Sequence, residues 1–161
     1  MEVLKAVSYE TTVKVHELRL VELENPDEVS LLRRLIDKYH EFGCIKGSGL
    51  GKGLRHFVLE ADGYWVAGCI IHQAGAWAPM FIKWRLPVDN SYMVRRIAQF
   101  APGHWAVMLL EKLAEKLRSE GKEMLVTTVI AEHSGALYKK AGFEEIGVSK
   151  RGTKILIRKL R

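Results

Sequence analysis

The side chains that could move protons are concentrated near the C-terminal third of the sequence. Glu132 and His133 can accept a proton and Tyr138 can donate one, and these are the two halves of general acid–base catalysis. His72 and His104 are further candidates for a base. Spacing alone does not separate these four candidates, so the fold must decide which of them meet.

The segment that contains Tyr138 predicts a short helix followed by a strand. It runs from Ser134 to Gly147 with the sequence SGALYKKAGFEEIG. Gly142 is a place where the helix can end, because glycine pays no Cβ penalty in the left-handed conformation that closes helices. Phe143 then enters the core, and the alternating residues after it indicate a strand.

This segment resembles the last helix and the following strand of the GNAT (GCN5-related N-acetyltransferase) superfamily. The shared pattern is a small residue at Ser134, then Leu137-Tyr138, then Gly142-Phe143. In that family the tyrosine faces the acyl-CoA thioester. The resemblance therefore implies that Tyr138 is catalytic, and Glu132 and His104 complete the set of catalytic candidates.

The other elements follow the order of the GNAT fold, and we expect a single GNAT-like domain over residues 1–161. The predicted class is α+β, with a mixed, mostly antiparallel central sheet flanked by helices and a splayed strand pair before and after the long helix. The predicted elements are a strand at Thr11–Leu23, a helix from Asn25 to Gly43, a hairpin of His56–Ala61 and Tyr64–Ile71, strands at Met80–Leu86 and Tyr92–Phe100, a helix at Gly103–Glu120, a strand at Lys122–Ile130 and a hairpin of Glu144–Ser149 and Lys154–Leu160.

The resemblance also implies where coenzyme A would bind. In a GNAT fold the pantetheine arm pairs with the strand before the long helix, and the helix N-terminus receives the pyrophosphate. The implied residues are Ile97, Ala98, Gln99, Phe100, Gly103, His104, Trp105, Ala106, Ser134 and Tyr138. The turn before this helix is shorter than in the family and has one glycine and no aligned arginine, and Ala131 stands where the family has asparagine.

A glycine-rich segment from Cys44 to Arg55 has two interpretations. It fails as a Walker A loop, because Lys46 stands in place of the first glycine and Gly53 follows the lysine where serine or threonine is needed. Its composition is typical of a flexible connector. The resemblance instead implies a cationic lip over the acceptor site.

The chain is basic, with 25 Lys and Arg against 19 Asp and Glu, a net charge of +6. This surplus suits a polyanion, and both coenzyme A and nucleic acid are polyanions. Two of the cations, Arg95 and Arg96, interrupt an apolar strand. We expect one of them to be a contact on the buried face and the other a solvated charge, in preference to a phosphate clamp formed by the pair.

The resemblance predicts an acyl-CoA-dependent N-acyltransferase, with acetyl-CoA or another acyl-CoA as cosubstrate. It would transfer the acyl group directly, through a tetrahedral intermediate, to an amine of a small molecule or protein. One alternative is an enzyme similar to the Mom group, which modifies bases in nucleic acid, and the YHEFG segment at Tyr39–Gly43 and the positive charge favour it. Another is a non-catalytic binding module on the same fold. Nucleic acid and a second copy of the chain are partners to be tested.

Cysteine usage and hydropathy predict a reduced cytoplasmic protein. Cys44 and Cys69 form no paired framework, and the six histidines do not pair with them at the spacing of metal ligands. No apolar run is long enough to span a bilayer, and Met1–Glu10 lacks the apolar centre of a secretory signal. We therefore expect no metal site and no membrane partner.

Overall fold

The computed structural model describes residues 17–41, 43 and 53–161. Its elements in chain order are β1 (Leu18–Leu23), α1 (Pro26–Tyr39), β2 (Arg55–Ala61), β3 (Tyr64–His72), α2 (Ala78–Lys83), β4 (Ser91–Gln99), α3 (Trp105–Ser119), β5 (Met124–Val129), α4 (Ala136–Lys140), β6 (Glu144–Val148) and β7 (Lys154–Lys159). A short 3-10 turn at Gly75–Trp77 leads into α2. None of the helices in the described ranges has the length and apolar character that crossing a membrane requires.

The strands form one seven-stranded sheet in the order β1-β2-β3-β4-β5-β7-β6. Every neighbouring pair is antiparallel except β4 and β5, which are parallel and are connected through α3. The predicted α+β fold with a mixed, mostly antiparallel sheet is therefore confirmed. The β2–β3 hairpin turns at Asp62 and Gly63, as predicted, and their φ angles of 49° and 86° are those of a tight two-residue turn.

Helix α1 begins where its capping signal predicts. The Asn25 side chain accepts a hydrogen bond of 2.8 Å from the Asp27 N–H, and Pro26 occupies the first turn. The helix ends at Tyr39, so the predicted stop at Gly43 is too late. Of the predicted strand at Thr11–Leu23, the structure shows Leu18–Leu23, and residues 11–16 lie outside the described part.

Helix α3 presents the predicted apolar stripe to the sheet. It starts at Trp105, two residues later than predicted, and Gly121, with a φ of 84°, follows its end. Its buried residues are Ala106, Leu109, Leu110, Leu113, Ala114 and Leu117. This face packs against Phe57, Val66 and neighbouring residues on one side of the sheet, whereas Leu32 and Ile36 of α1 pack with Trp65 and Phe100 on the other. Strand β4 is thus covered on both faces.

The predicted strand at Met80–Leu86 is wrong, because these residues belong largely to helix α2. Pro79 fits the first turn of a helix, and its fixed φ favours that start. Phe81 is fully buried while Ile82 is 67% exposed. Over so short a run of apolar residues, the sequence does not distinguish one buried helical face from a strand. The glycine-rich segment is described only from Gly53 onwards, so both interpretations of it, and Cys44, fall on residues 44–52 outside the described part.

Candidate active site

Strands β4 and β5 pair over three residues and then separate. The paired residues are Ser91–Met93 of β4 with Met124–Val126 of β5. Beyond them β4 keeps pairing with β3 as far as Gln99, and β5 keeps pairing with β7 as far as Val129. At the point of separation the Thr127 hydroxyl donates a 3.2 Å hydrogen bond to the Val94 carbonyl. The predicted splayed strand pair is therefore present.

A cavity of about 720 Å³ lies where the strands separate. Its walls are the second half of β4, the end of β5, the loop and first turns of α4, and the residues that follow α1. The lining residues are Tyr39, His40, Glu41, Met93, Val94, Arg95, Arg96, Ile97, Ala98, Gln99, Thr127, Thr128, Val129, Ile130, His133, Ser134, Gly135, Ala136, Leu137 and Tyr138. This volume is within the range of small-molecule and cofactor sites.

The open edge of β4 presents backbone groups to this cavity. The Phe100 N–H donates a 2.9 Å hydrogen bond to the Val66 carbonyl of β3, so it is committed to the sheet and is not free for an oxyanion. Successive residues of a strand direct their backbone N–H and C=O groups to opposite sides. Ala98 lies two residues before Phe100, so its backbone groups also point towards β3, where Ala98 pairs with Gly68. The backbone groups of Ile97 and Gln99 therefore face the cavity.

Tyr138 is brought to the cavity by the short helix α4. Gly135, with a φ of 74°, precedes this helix, and Gly142, with a φ of 89°, follows it, so the sequence signals for its ends are confirmed. The Tyr138 ring packs edge-on against Phe143 with 5.4 Å between centroids. Burial raises the pKa of the Tyr138 phenol, and a hydrogen bond with Thr127 opposes part of that rise. The phenol is therefore neutral at physiological pH and can donate a proton.

Two side chains occupy the mouth of helix α3, one from the end of β4 and one from the first residue of α3 itself. Gln99 accepts a 3.0 Å hydrogen bond from the Ala106 N–H through Oε1 and donates to the Gly103 carbonyl through Nε2. The Trp105 indole donates to the Pro102 carbonyl at 2.9 Å. The predicted pyrophosphate residues, Gly103 to Ala106, are not among the cavity's lining residues, and neither is Phe100.

The candidates for the base occupy different environments. His133 lines the cavity, and its Nε2 lies 3.1 Å from a carboxylate oxygen of Glu41. Glu132 and His104 are exposed and are not lining residues. His72 is fully buried, and its Nδ1 donates to the Gln73 carbonyl. Burial lowers the pKa of His72, with the positive charge of Arg95 as a further, smaller cause.

Several lining residues were not singled out as site residues from the sequence. Thr127 and Thr128 belong to a β-branched strand and carry no local signal of function. Glu41 meets His133 only because α1 ends beside the loop after β5. Arg95 and Arg96 did have a signal, since both interrupt an apolar strand. The structure does not divide the two arginines into one buried and one exposed side chain, because both are half-buried.

No family model matches this chain. A relative, uncharacterized protein 154 of Sulfolobus islandicus rod-shaped virus 1, is 41% identical over 134 residues, which cover 81% of this chain and 87% of the relative.

Solved structures with the same architecture include acetyltransferases of low identity. Ribosomal-protein-S18-alanine N-acetyltransferase from Escherichia coli aligns with a TM-score of 0.63 at 20% identity, covering 89% of this chain and 94% of its own. The GNAT domain of PAT from S. lividans aligns with a TM-score of 0.62 at 16% identity, covering 88% and 90%. IAA acetyltransferase from Bacillus cereus aligns with a TM-score of 0.54 at 14% identity, covering 88% and 99%. The chain therefore has the GNAT fold, and it belongs to the same family as protein 154 of the rod-shaped virus.

Proposed function

We propose that this protein is an acyl-CoA-dependent N-acyltransferase that transfers an acetyl group to an amine. The observation that carries the proposal is the separation of β4 from β5 around a cavity into which α4 places Tyr138. The unpaired backbone of Ile97 and Gln99 offers hydrogen-bonding groups to an extended ligand, as the edge of a sheet does to an added strand. The GNAT fold, shared with acetyltransferases of known structure, supports the same reaction class.

The residues present fit the pantetheine arm of coenzyme A along Ile97–Gln99, with Ser134 and Tyr138 on the facing wall. The pyrophosphate would lie at the mouth of α3, near Gly103, His104, Trp105 and Ala106. There it would compete with Gln99 for the Ala106 N–H. The side chain of Gln99 is half-buried and has rotatable bonds, so this competition requires only its rearrangement.

The chemistry requires a neutral amine, a place for negative charge and a proton for the departing thiolate. The thioester supplies an activated carbonyl carbon. The amine nitrogen bonds to that carbon, the carbon–sulfur bond breaks, and the Tyr138 phenol gives its proton to the sulfur. The cavity-facing N–H groups of Ile97 and Gln99 are placed to stabilise the oxyanion.

For the proton lost by the amine we assign His133 as the base, oriented by Glu41. Among the four histidine and glutamate candidates in the described ranges, His133 is the one that lines the cavity. Its contact with the Glu41 carboxylate matches the common arrangement in which a further group holds a catalytic base in position. Glu132 and His104 stay predictions for this role.

The test is thermal unfolding with acetyl-CoA, using adenosine as the control ligand. Binding to the folded state at a concentration about 100 times Kd would add about 2.7 kcal/mol to the free energy of unfolding, so Tm should rise with ligand concentration. Adenosine lacks the pantetheine arm and the phosphates, and it should produce a much smaller rise. No rise with acetyl-CoA at millimolar concentration would overturn the proposal.

The alternatives of nucleic-acid base modification and of a non-catalytic scaffold stay predictions from the sequence. So do the single domain over residues 1–161, the cytoplasmic location and the homodimer.

A further inference from the structure

Two adjacent arginines line the cavity on β4 before the residues assigned to pantetheine. Ile70 of β3 pairs with Arg96 and Ile71 pairs with Val94, so Arg95 is an extra residue that bulges from the ladder. Its guanidinium lies 4.9 Å from the centre of the Trp77 ring. This bulge changes the direction in which the strand presents its side chains.

Arg96 is held in place by backbone carbonyls. Its Nε donates to the Gly43 carbonyl and its Nη1 to the Arg95 carbonyl, each at 2.9 Å. These acceptors are neutral, so they fix the guanidinium without cancelling its charge. A guanidinium has five N–H donors, and this arrangement leaves others for a ligand.

The positive charge of the pair is not neutralised by protein carboxylates in the described ranges. No ion pair there includes Arg95 or Arg96. Glu41 is the acidic residue that lines the cavity, but it contacts His133 and its side chain is 57% exposed. The Nε of Arg95 is buried without a hydrogen-bond partner. Burial, and then the charge of Arg96, lower the pKa of Arg95.

The pair lies on the opposite face of the sheet from α3. Arg96 contacts Gly43, which follows α1, and Arg95 contacts Trp77, which precedes α2. Arg95 also stands four residues before Gln99, a separation of about 13 Å along an extended strand. The pair is thus removed from the α3 mouth, where the CoA pyrophosphate would lie, and close to the end of α1 and the turn before α2.

We propose that Arg95 and Arg96 bind an oxyanion, either a carboxylate or a phosphate, carried by the amine that receives the acyl group. A buried cation without a counter-charge is costly, and an anionic acceptor supplies that charge together with hydrogen-bond acceptors for the guanidinium N–H groups. The acceptor class is therefore an amine that carries an oxyanion. This inference rests on the proposed function, since that function defines which substrate occupies this face.

The experiment measures the binding of matched amines by calorimetry, with and without acetyl-CoA. The pairs are phosphoethanolamine with ethanolamine and β-alanine with propylamine, and in each pair only the first member carries an oxyanion. A hydrogen-bonded ionic contact corresponds to a preference of about 10- to 100-fold for the anionic member. The pair that shows the larger preference identifies phosphate or carboxylate as the group recognised.

Variants test whether the arginines cause the preference. Arg95→Met should abolish it, Arg95→Lys should retain part of it, and Arg118→Met, which removes an exposed cation of α3, should leave it unchanged. If Arg95→Met does not fold, Arg96→Met is measured in its place. Equal binding within both pairs, no binding of either anionic amine, or a preference that survives removal of the arginine would overturn the inference.

The two proposals fail in different ways. If acetyl-CoA raises Tm but the anionic amines show no advantage, only the assignment of the arginines fails. If the anionic amines bind through Arg95 in the absence of acetyl-CoA, and acetyl-CoA itself produces no rise in Tm, the anion site stands and acyl transfer fails.

Discussion

The two edges of strand β4 have opposite properties. Along one edge, six residues of β3, Ala67–His72, pair with β4 as far as Gln99. Along the other, β5 pairs at three residues and then departs. One strand therefore pairs its backbone groups along most of one side and along only three residues of the other.

The side chains near the two edges also differ in burial and polarity. Cys69, Ile70 and Ile71 of the paired edge are fully buried, and they connect β4 to apolar clusters on both faces of the sheet. The open edge meets Thr127 and Tyr138, which carry hydroxyl groups. We infer that the paired edge stabilises the fold, while the open edge is available for binding and chemistry.

The largest effect is expected from truncating a buried side chain at the paired edge. Ile71→Ala should lower the free energy of unfolding by about 2–5 kcal/mol, because a fully buried isoleucine is truncated where its neighbours cannot collapse. Urea unfolding measures this loss. Ile82→Ala is the matched control, since Ile82 is 67% exposed, and its effect should stay within about 0.5 kcal/mol. Similar losses of unfolding free energy in the two variants would contradict the inference that the paired edge stabilises the fold.

On the open edge, the expected loss is in turnover and not in stability. Tyr138→Phe should lower kcat with acetyl-CoA by about 100-fold, because the variant cannot protonate the departing thiolate. Its free energy of unfolding should change by about 1 kcal/mol or less, since the ring still packs against Phe143. Tyr64→Phe, in the β2–β3 hairpin outside the cavity, is the control. Unchanged kcat in Tyr138→Phe would remove this residue from the mechanism.

The smallest expected effect is a dependence of stability on pH, whose acid and alkaline sides have different origins. Burial lowers the pKa of His40, His56 and His72 below 6.5, so their contribution to stability is present above pH 6.5 and is lost as pH falls. Each such histidine contributes a slope of at most about 1.4 kcal/mol per pH unit. Urea unfolding at a series of pH values measures the slope.

The alkaline side of the same pH series tests the open edge. The pKa of Tyr138 is raised above 10.0, so its contribution to stability is present below pH 10.0 and is lost as pH rises further. Tyr138→Phe should remove this alkaline contribution and retain the acid one. A wild-type protein whose stability is constant as pH falls below 6.5 would contradict the assignment to the buried histidines.

The sequence predicted the elements whose signals are local. Asn25 marks the start of α1, Asp62-Gly63 marks a hairpin, and the stripe from Ala106 to Leu117 marks α3, because capping, turn geometry and helical period depend on neighbouring residues alone. The motif around Tyr138 predicted the short helix α4, and this helix places Tyr138 in the wall of the cavity. The splayed strand pair was expected from the same resemblance and is present.

Features that depend on residues far apart in the chain were decided only by the tertiary structure. The apolar run at Met80–Leu86 is largely helix and not strand, because its burial depends on what packs against it. His133 contacts Glu41, which lies 92 positions away in the sequence, and neither Glu132 nor His104 lines the cavity. The half-burial of both Arg95 and Arg96 depends on the bulge in β4 and on the elements around it. The sequence alone thus determined the helices, turns and strands that carry local capping, turn or periodic signals, whereas the separation of β4 from β5 decided which side chains share a cavity, because that separation is a property of the packed sheet and of no single segment.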